Sequence, residues 1–203
     1  AYRSLRTNLQ FLGLADGNRS MVVTSSIPGE GKTTSAINIA STLATAGERV
    51  LLIDADLRRP KLANYLKLEG SVGLTTVLIG EARFEEVVQP YGNTRLDVLA
   101  AGPVPPNPAE LLGFDAMAQL VTWETQHYDH VIIDAPPLLP VTDAAVLSKI
   151  VSGTLIIAGA RKVRRGELEA AIDSLDRVEA RVLGIVLNMV QQADSARYAY
   201  RYS

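Results

Sequence analysis

The chain has 203 residues, of which 47% are hydrophobic and none is cysteine. Twenty Lys and Arg residues against 22 Asp and Glu residues give a formal net charge of −2, which excludes a chain-wide attraction to nucleic acid or to an anionic membrane. The absence of cysteine excludes a disulfide framework and a thiolate metal site. The length predicts one domain, and we place it at residues 1–193.

Five short apolar runs are rich in β-branched residues and do not alternate with polar ones. Such runs are typical of parallel strands that are buried on both faces. The predicted strands cover residues 21–24, 50–53, 131–133, 154–158 and 182–187, with a further candidate at 96–100. Helical patterns lie between them at residues 32–46, 108–126, 142–150 and 166–178. This order predicts an α/β fold with a doubly wound, mainly parallel sheet and helices on both faces.

The segments between these elements have a different character. Residues 60–80 contain short helical stretches that are broken by Gly70 and Gly73. Residues 102–108 read GPVPPNP, which predicts a rigid loop before a helix. Residues 194–203 are polar, and we expect them to form a flexible tail.

No run approaches the roughly 18 apolar residues that predict a membrane span, and no signal peptide pattern opens the chain. The first residues already follow a helical pattern. We therefore expect the sequence to be a piece of a longer protein.

The stretch SIPGEGKTT at residues 26–34 predicts a phosphate-binding loop between a strand and a helix. Such a loop needs small residues that let backbone N–H groups surround the anion, a lysine for the outer phosphates and a hydroxyl for magnesium. The alternative is an ordinary glycine turn before a helix. Ser26 occupies the place of the usual first glycine. The predicted nucleotide contacts are Ser26, Pro28, Gly29, Glu30, Gly31, Lys32, Thr33 and Thr34.

Three carboxylates follow apolar strands. Asp54 and Asp56 lie in LLIDADLRRP, and Asp134 lies in VIIDAPP. Ligands of an open parallel sheet gather at the carboxyl edge of the strands, so these carboxylates can converge on the loop. We expect Thr33, Asp54, Asp56 and Asp134 to hold Mg²⁺, directly or through water.

The order of these motifs resembles the bacterial tyrosine kinases, which are the cytoplasmic kinase domains of capsule and exopolysaccharide assembly systems. The resemblance rests on SSIPGEGKTT, LLIDADLRRP, VIIDAPPLLPVTDA and a tyrosine cluster at the end of the chain. The opening AYRSLRTN resembles that family's N-terminal helix motif, in which Arg3 and Arg6 match and the preceding glutamate would lie before Ala1.

The resemblance implies a tyrosine kinase that uses ATP and Mg²⁺ and phosphorylates its own C-terminal tyrosines between subunits. It also implies a homo-oligomer, a ring or a dimer, assembled through the helix of Arg3 and Arg6. Further implied partners are a membrane adaptor or polysaccharide co-polymerase, fused or separate, and a cognate phosphatase. The implied location is the cytoplasmic face of the cell membrane.

The bacterial tyrosine kinases belong to a larger group of phosphate-loop ATPases, and the residue at position 27 distinguishes two branches of that group. The plasmid-partition and division-site relatives carry a lysine there that reaches the nucleotide of a partner subunit, whereas this chain has Ile27. Ile27 favours the kinase branch. The second hypothesis is an ATPase switch that dimerises with nucleotide and passes the phosphate to water, and the third is a non-catalytic nucleotide-binding module.

Tyr198, Tyr200 and Tyr202 lie among the last six residues without apolar neighbours that could bury them. We interpret them as phosphoacceptors, while an edge strand or a tail without function remains an alternative. A tyrosine hydroxyl has an ordinary pKa of about 10, so a nearby base should help it to react. Asp54 and Asp56 are the candidates, and we favour Asp54.

Other positions are open to two interpretations. By resemblance Asn188 contacts adenine, but it could equally be a turn residue. Asp143 is either a magnesium-sensing group or a helix cap. The basic loop of Arg161, Lys162, Arg164 and Arg165 is either solvated surface or a contact to nucleotide or subunit. His127 and His130 receive no role.

Overall fold

The computed structural model describes residues 20–191. Within that range the strands are β1 Ser20–Ser25, β2 Val50–Asp54, β3 Gln89–Pro90, β4 Leu96–Leu99, β5 His130–Asp134, β6 Gly153–Gly159 and β7 Val182–Asn188. The helices are α1 Lys32–Thr45, α2 Leu62–Leu66, α3 Leu74–Leu78, α4 Phe84–Val87, α5 Pro108–Leu112, α6 Asp115–His127, α7 Asp143–Ser148 and α8 Arg165–Asp176.

These strands form one sheet in the order β3-β4-β2-β5-β1-β6-β7. All neighbours are parallel except β3, which is a short antiparallel edge strand beside β4. The register pairs Asp54 of β2 with Asp134 of β5, so their two backbones end side by side at the carboxyl edge. On the other side of β5, Asp134 is level with Val23 of β1, which leads into the phosphate loop.

The apolar core lies on both faces of the sheet because successive strand residues point to opposite sides. Leu51 and Ile53 pack into one cluster with α3, α5, α6, α7 and α8, while Val50 and Leu52 pack into the other cluster with α1. The four central strands β1, β2, β5 and β6 are buried over almost their whole length. The predicted doubly wound α/β fold is confirmed.

Two details differ from the sequence prediction. The helix expected at residues 108–126 is interrupted at Gly113 and Phe114, where Phe114 has extended dihedrals and caps the start of α6. Strand β7 is not buried on both faces: Ile185 and Leu187 are 46% and 51% exposed, because β7 is the last strand of the sheet. Among the described residues, no helix is both long and apolar enough to cross a bilayer.

Glu124 on α6 is an acidic side chain inside this fold. The residue is only 3% exposed, although no other acid of α6 is buried. Burial raises the pKa of its carboxyl from 4.5 to about 7, while nearby His127 lowers the pKa and Glu85 raises it.

This raised pKa predicts how Glu124→Gln changes the pH dependence of stability. Between about pH 4.5 and 7 the folded protein binds a proton that the unfolded chain releases, so this group makes the protein less stable as pH rises. At about 1.4 kcal/mol per pKa unit, the free energy of unfolding of Glu124→Gln should rise relative to wild type by up to ~3 kcal/mol between pH 5 and pH 8. Urea unfolding at both pH values measures this, with exposed Glu81→Gln as control. Parallel pH profiles of wild type and Glu124→Gln would contradict it.

Candidate nucleotide-binding site

The loop between β1 and α1 has the backbone that a bound phosphate needs. Gly29 and Gly31 have φ values of 80° and 87°, which L side chains rarely adopt. Helix α1 begins directly after Gly31 and has neither a side-chain cap nor an acidic residue in its first turn. Its first N–H groups and its positive dipole end are therefore available to an anion.

Glu30 braces this loop with its side chain. Its Oε2 accepts the N–H of Ile27 at 2.8 Å, and its Oε1 accepts the N–H of Gly159 at the end of β6, also at 2.8 Å. The residue is fully buried. The side chain of Glu30 thus ties the loop to the sheet, whereas the sequence prediction concerned its backbone N–H at the phosphates.

Asn188 of β7 and Lys162 of the segment after β6 also contact the phosphate loop. Asn188 donates from Nδ2 to the carbonyl of Glu30 at 3.0 Å, and a Cβ on Gly31 would collide with the same amide nitrogen. Lys162 donates from Nζ to the carbonyl of Gly29 at 2.8 Å. Within the basic loop, Lys162 therefore contacts the phosphate loop, whereas Arg165 pairs with Glu169 on the exposed face of α8.

Lys32 lies among the carboxylates that the sequence predicted to converge. Its Nζ is 2.9 Å from Asp56 Oδ2 and 3.5 Å from Asp134 Oδ1. Burial lowers the pKa of Lys32, but the nearby carboxylates of Asp134, Asp56 and Asp54 outweigh it, so its pKa is raised. Lys32 therefore stays protonated, as a lysine that contacts phosphate must.

Asp54 has a different environment from the other two acids. Its Oδ2 accepts the N–H groups of Lys61 and Leu62 at 3.0 Å each, and its Oδ1 accepts the N–H of Asp56 at 3.2 Å. Burial raises its pKa to about 7, and the neighbouring Asp134 adds to the rise. Both oxygens of Asp54 are thus engaged in holding the turn after β2, which orients Asp56 toward Lys32.

Asp134 is the acid with unused acceptors. The residue is 1% exposed, and within the described range neither of its carboxylate oxygens has a hydrogen-bond partner. Burial raises its pKa, and the Lys32 ammonium opposes this rise. Two buried oxygens that form no hydrogen bond of good geometry, one of them 3.5 Å from the Lys32 ammonium, fit a cation such as Mg²⁺.

The donor set also limits how such an ion is held. Among residues 20–191, no three His, Cys, Asp or Glu side chains are arranged to hold a metal ion by themselves. Mg²⁺ commonly keeps several waters and takes one or two carboxylates together with substrate phosphates. Thr33, Asp56 and Asp134 suit that incomplete type of site.

An open cavity of about 500 Å³ lies beside this group. Its lining includes Lys32, Thr33, Thr34 and Asp56 from the loop and the turn after β2. The other lining residues include Arg58, Arg59, Lys61, Tyr65, Pro136, Pro137, Pro140, Val141 and Met189. The cavity can therefore accept both a polyphosphate and a second group that approaches over the prolines.

Arg58 is a site residue that sequence reasoning did not single out. Its Nε and Nη2 donate to the two oxygens of Asp143, at 2.9 and 3.0 Å. Asp143 is fully buried and is the first residue of α7, so it does not cap that helix. The ion pair instead ties the turn after β2 to α7, and its sequence signal was an arginine directly after the acidic motif.

The remaining predicted positions either take no part or lie elsewhere. His127 packs its ring against Trp123, far from this loop in the sheet topology. Arg3, Arg6, Tyr198, Tyr200 and Tyr202 lie outside the described residues, as does the predicted tail.

Comparisons with known proteins agree with this geometry. A family model described as "ParA: NUBPL iron-transfer P-loop NTPase" matches residues 17–198. The tyrosine-protein kinase YwqD of Bacillus subtilis is 39% identical over 98% of this chain and 84% of its own length. The chain belongs to the bacterial tyrosine kinases, within the ParA-type P-loop NTPases. The kinase domain of Escherichia coli ETK has a TM-score of 0.92 and 37% identity, covering 95% of this chain and 75% of that one.

Some relatives of this kinase are much longer. The tyrosine-protein kinase etk of Escherichia coli K12 is 37% identical over 98% of the chain, but the match spans 28% of its length. The relationship to YwqD, in contrast, covers most of both chains. The family match covers the P-loop NTPase domain itself. Nucleotide binding therefore belongs to this domain and does not depend on the additional segments of the longer relatives.

The hydrogen bonds of the Glu30 side chain predict that Glu30→Ala lowers both the stability of the fold and the affinity of the loop for nucleotide. It would leave the buried N–H groups of Ile27 and Gly159 without acceptors, and a hydrogen bond to a charged group contributes about 1.5–3 kcal/mol. We expect the free energy of unfolding to fall by roughly 3 kcal/mol and nucleotide affinity to fall at least tenfold. Urea unfolding and titration with a fluorescent ATP analogue measure both, with Glu81→Ala as control. A normal affinity would show that the loop keeps its shape without Glu30.

The unused oxygens of Asp134 predict opposite effects on stability and magnesium binding. Asp134→Asn removes a buried negative charge that repels Asp54 and Asp56. We expect the nucleotide-free protein to become more stable at neutral pH, because the raised pKa of Asp134 means that its charged form is disfavoured in the fold. Magnesium should then no longer increase nucleotide affinity. Melting temperatures without nucleotide and binding titrations with and without Mg²⁺ check this, and a loss of stability would contradict the charge argument.

Proposed function

We propose that this kinase transfers the γ-phosphoryl group of ATP to tyrosine hydroxyls at its own C-terminus, with Mg²⁺ as cofactor. The observation that carries the proposal is the position of Lys32, which lies at the open start of α1 and within 2.9 Å of Asp56 and 3.5 Å of Asp134. Phosphoryl transfer depends mainly on such positioning and charge neutralisation.

Each residue has a defined part in this proposal. Lys32 contacts the β- and γ-phosphates, and the N–H groups from Gly29 to Thr33 surround them. Thr33 and Asp134 hold Mg²⁺, which when bound neutralises phosphate charge. Asn188, which lies beside Gly31, is placed near the nucleotide and contacts adenine in this proposal.

The geometry favours Asp56 over Asp54 as the base. Asp56 lines the cavity, where its Oδ2 accepts from Lys32 Nζ and its Oδ1 from the N–H of Arg59. Asp54 is not among the cavity-lining residues, and its oxygens accept three backbone N–H groups. In the step itself the tyrosine oxygen forms a bond to the γ-phosphorus, the bond to the ADP oxygen breaks, and the phenol proton passes to Asp56. Asp54 positions Asp56 through the N–H of that residue.

The acceptors we propose are Tyr198, Tyr200 and Tyr202 of a neighbouring subunit in a homo-oligomer that Arg3 and Arg6 help to assemble. The sequence resemblance further supports a membrane adaptor, fused or separate, a cognate phosphatase and a role in capsule or exopolysaccharide synthesis at the cytoplasmic face of the membrane. The chain matches only 28% of the longer relative etk, which is consistent with an adaptor that is fused in some relatives.

A phosphorylation assay tests both the reaction and its acceptor. After incubation with Mg²⁺ and ATP, mass spectrometry should find phosphotyrosine at Tyr198, Tyr200 or Tyr202. Lys32→Met should lower the label at least 100-fold, because it removes the cation that contacts the phosphates, and exposed Lys149→Met is its control. Asp56→Asn should lower the label more than Asp54→Asn does. Chelation of Mg²⁺ should abolish it.

Mixing a catalytically inactive variant with an acceptor-free variant tests transfer between subunits. Lys32→Met keeps the tyrosines, and a triple Tyr→Phe variant at 198, 200 and 202 keeps the catalytic residues. Label on the Lys32→Met chain in the mixture demonstrates transfer between subunits. ATP hydrolysis without any phosphotyrosine would overturn the kinase proposal and favour a nucleotide-dependent ATPase switch.

A further inference from the structure

A second cavity lies at the edge of the sheet opposite the phosphate loop. It is formed where β4 begins, where α6 ends and beside α4, with a volume of about 640 Å³. We call it the amino-edge cavity, and its walls include Phe84, Asp97, Trp123, Glu124, His127 and Tyr128. The proposed kinase reaction uses none of these residues.

Glu124 is the group in the amino-edge cavity that lacks a partner. The residue is 97% buried, lines the cavity, and its carboxyl makes no hydrogen bond or ion pair within the described part of the chain. A buried carboxyl group without a partner takes up a proton more readily, as the raised pKa of Glu124 shows, and a bound cation is the alternative way to balance its charge. Its position therefore indicates a ligand that carries a positive charge.

Three further charged groups of the cavity make contacts within residues 20–191. Arg49 binds Asp129 through two hydrogen bonds, at 2.9 and 3.3 Å, and Arg95 donates to the carbonyl of Gly47 at 2.9 Å. Asp97 accepts the hydroxyl of Tyr128 at 2.7 Å.

The cavity lining has more carboxyl groups than unbalanced cations. Besides the paired Arg49, it contains the guanidinium of Arg95 and the carboxyl groups of Glu85, Asp97 and Glu124. His127 Nδ1 lies 3.0 Å from the carbonyl of Trp123. Glu124 and Glu85 together favour a cationic ligand over an anionic one.

Aromatic surfaces define the shape of the ligand. Trp123 is 58% exposed and stands at the cavity beside Phe84 and Tyr128. Aromatic faces attract guanidinium and ammonium groups, and they pack against the apolar stem of Arg and Lys. A planar guanidinium can also bind a carboxylate through two hydrogen bonds.

We propose that the amino-edge cavity binds an arginine side chain of a polypeptide partner, with Glu124 as the carboxylate that pairs with it. The aromatic residues hold the stem of that arginine. The cavity is therefore a docking site that is separate from the nucleotide site.

Trp123 allows a direct test because it is the only tryptophan of the chain. The probe is N-acetyl-arginine amide, titrated while Trp123 fluorescence is recorded, and N-acetyl-citrulline amide is the uncharged probe of similar shape. We expect saturable binding of the arginine probe and at least tenfold weaker binding of the citrulline probe. Glu124→Gln should weaken the arginine probe at least tenfold, and Glu81→Gln should not change it. Equal binding of both probes, or unchanged binding by Glu124→Gln, overturns the proposal.

Two further measurements complete the test. On the wild-type protein, amide NMR shifts on addition of the arginine probe should centre on Asp97, Trp123 and Tyr128; shifts centred on the phosphate loop would overturn the assignment even if Glu124→Gln fails to fold. A capped Ala-Arg-Ala peptide should bind more tightly than ethylguanidine. Equal or tighter binding of ethylguanidine would identify a free organic cation and overturn a polypeptide partner.

Discussion

The charge balance around Lys32 is the constraint on which the nucleotide site depends. Three buried carboxylates face one buried ammonium group. At about 4 Å and an effective dielectric of 20, a pair of opposite charges gains roughly 4 kcal/mol, which is similar to the penalty of several kcal/mol for burying one ion. One lysine therefore offsets about one carboxylate. Burial raises the pKa values of Asp54 and Asp134, and the neighbouring carboxylates add to the rise. Such a surplus of negative charge is the kind of environment that a divalent cation stabilises.

That charge cluster stays in place because the surrounding backbone is fixed from several strands. Glu30 joins the phosphate loop to β6, Asn188 joins it to β7, and Asp54 holds the turn that carries Asp56. The backbone register of β2 and β5 pairs Asp54 with Asp134, so the sheet alone brings these two residues side by side. The repulsion between buried carboxylates is thus confined to the carboxyl edge of the sheet, while both faces of the sheet pack against apolar side chains.

The sequence predicted the parts of this structure that follow from local pattern. Apolar β-branched runs located the central strands, and glycines before Lys32 located the phosphate loop. It could not predict which oxygens of Asp54 are occupied, because their donors at Lys61 and Leu62 depend on the path of the turn. The pairing of Arg58 with Asp143 joins residues 85 positions apart in the chain, and the break at Gly113 is not visible in helical periodicity. Glu124 follows the helical pattern as an ordinary surface acid, yet it is buried in the fold.

Ile27 and Lys162 show which side chains contact the phosphate loop from within the chain. Where the partition relatives carry a lysine that crosses to another subunit, this chain has Ile27, whose N–H is tied to Glu30 of the same loop. The cation that contacts Gly29 is Lys162 of the same chain. Within residues 20–191, these contacts to the loop come from the chain itself. The proline side of the cavity, at Pro136 and Pro137, is where the proposed reaction would place an incoming tyrosine.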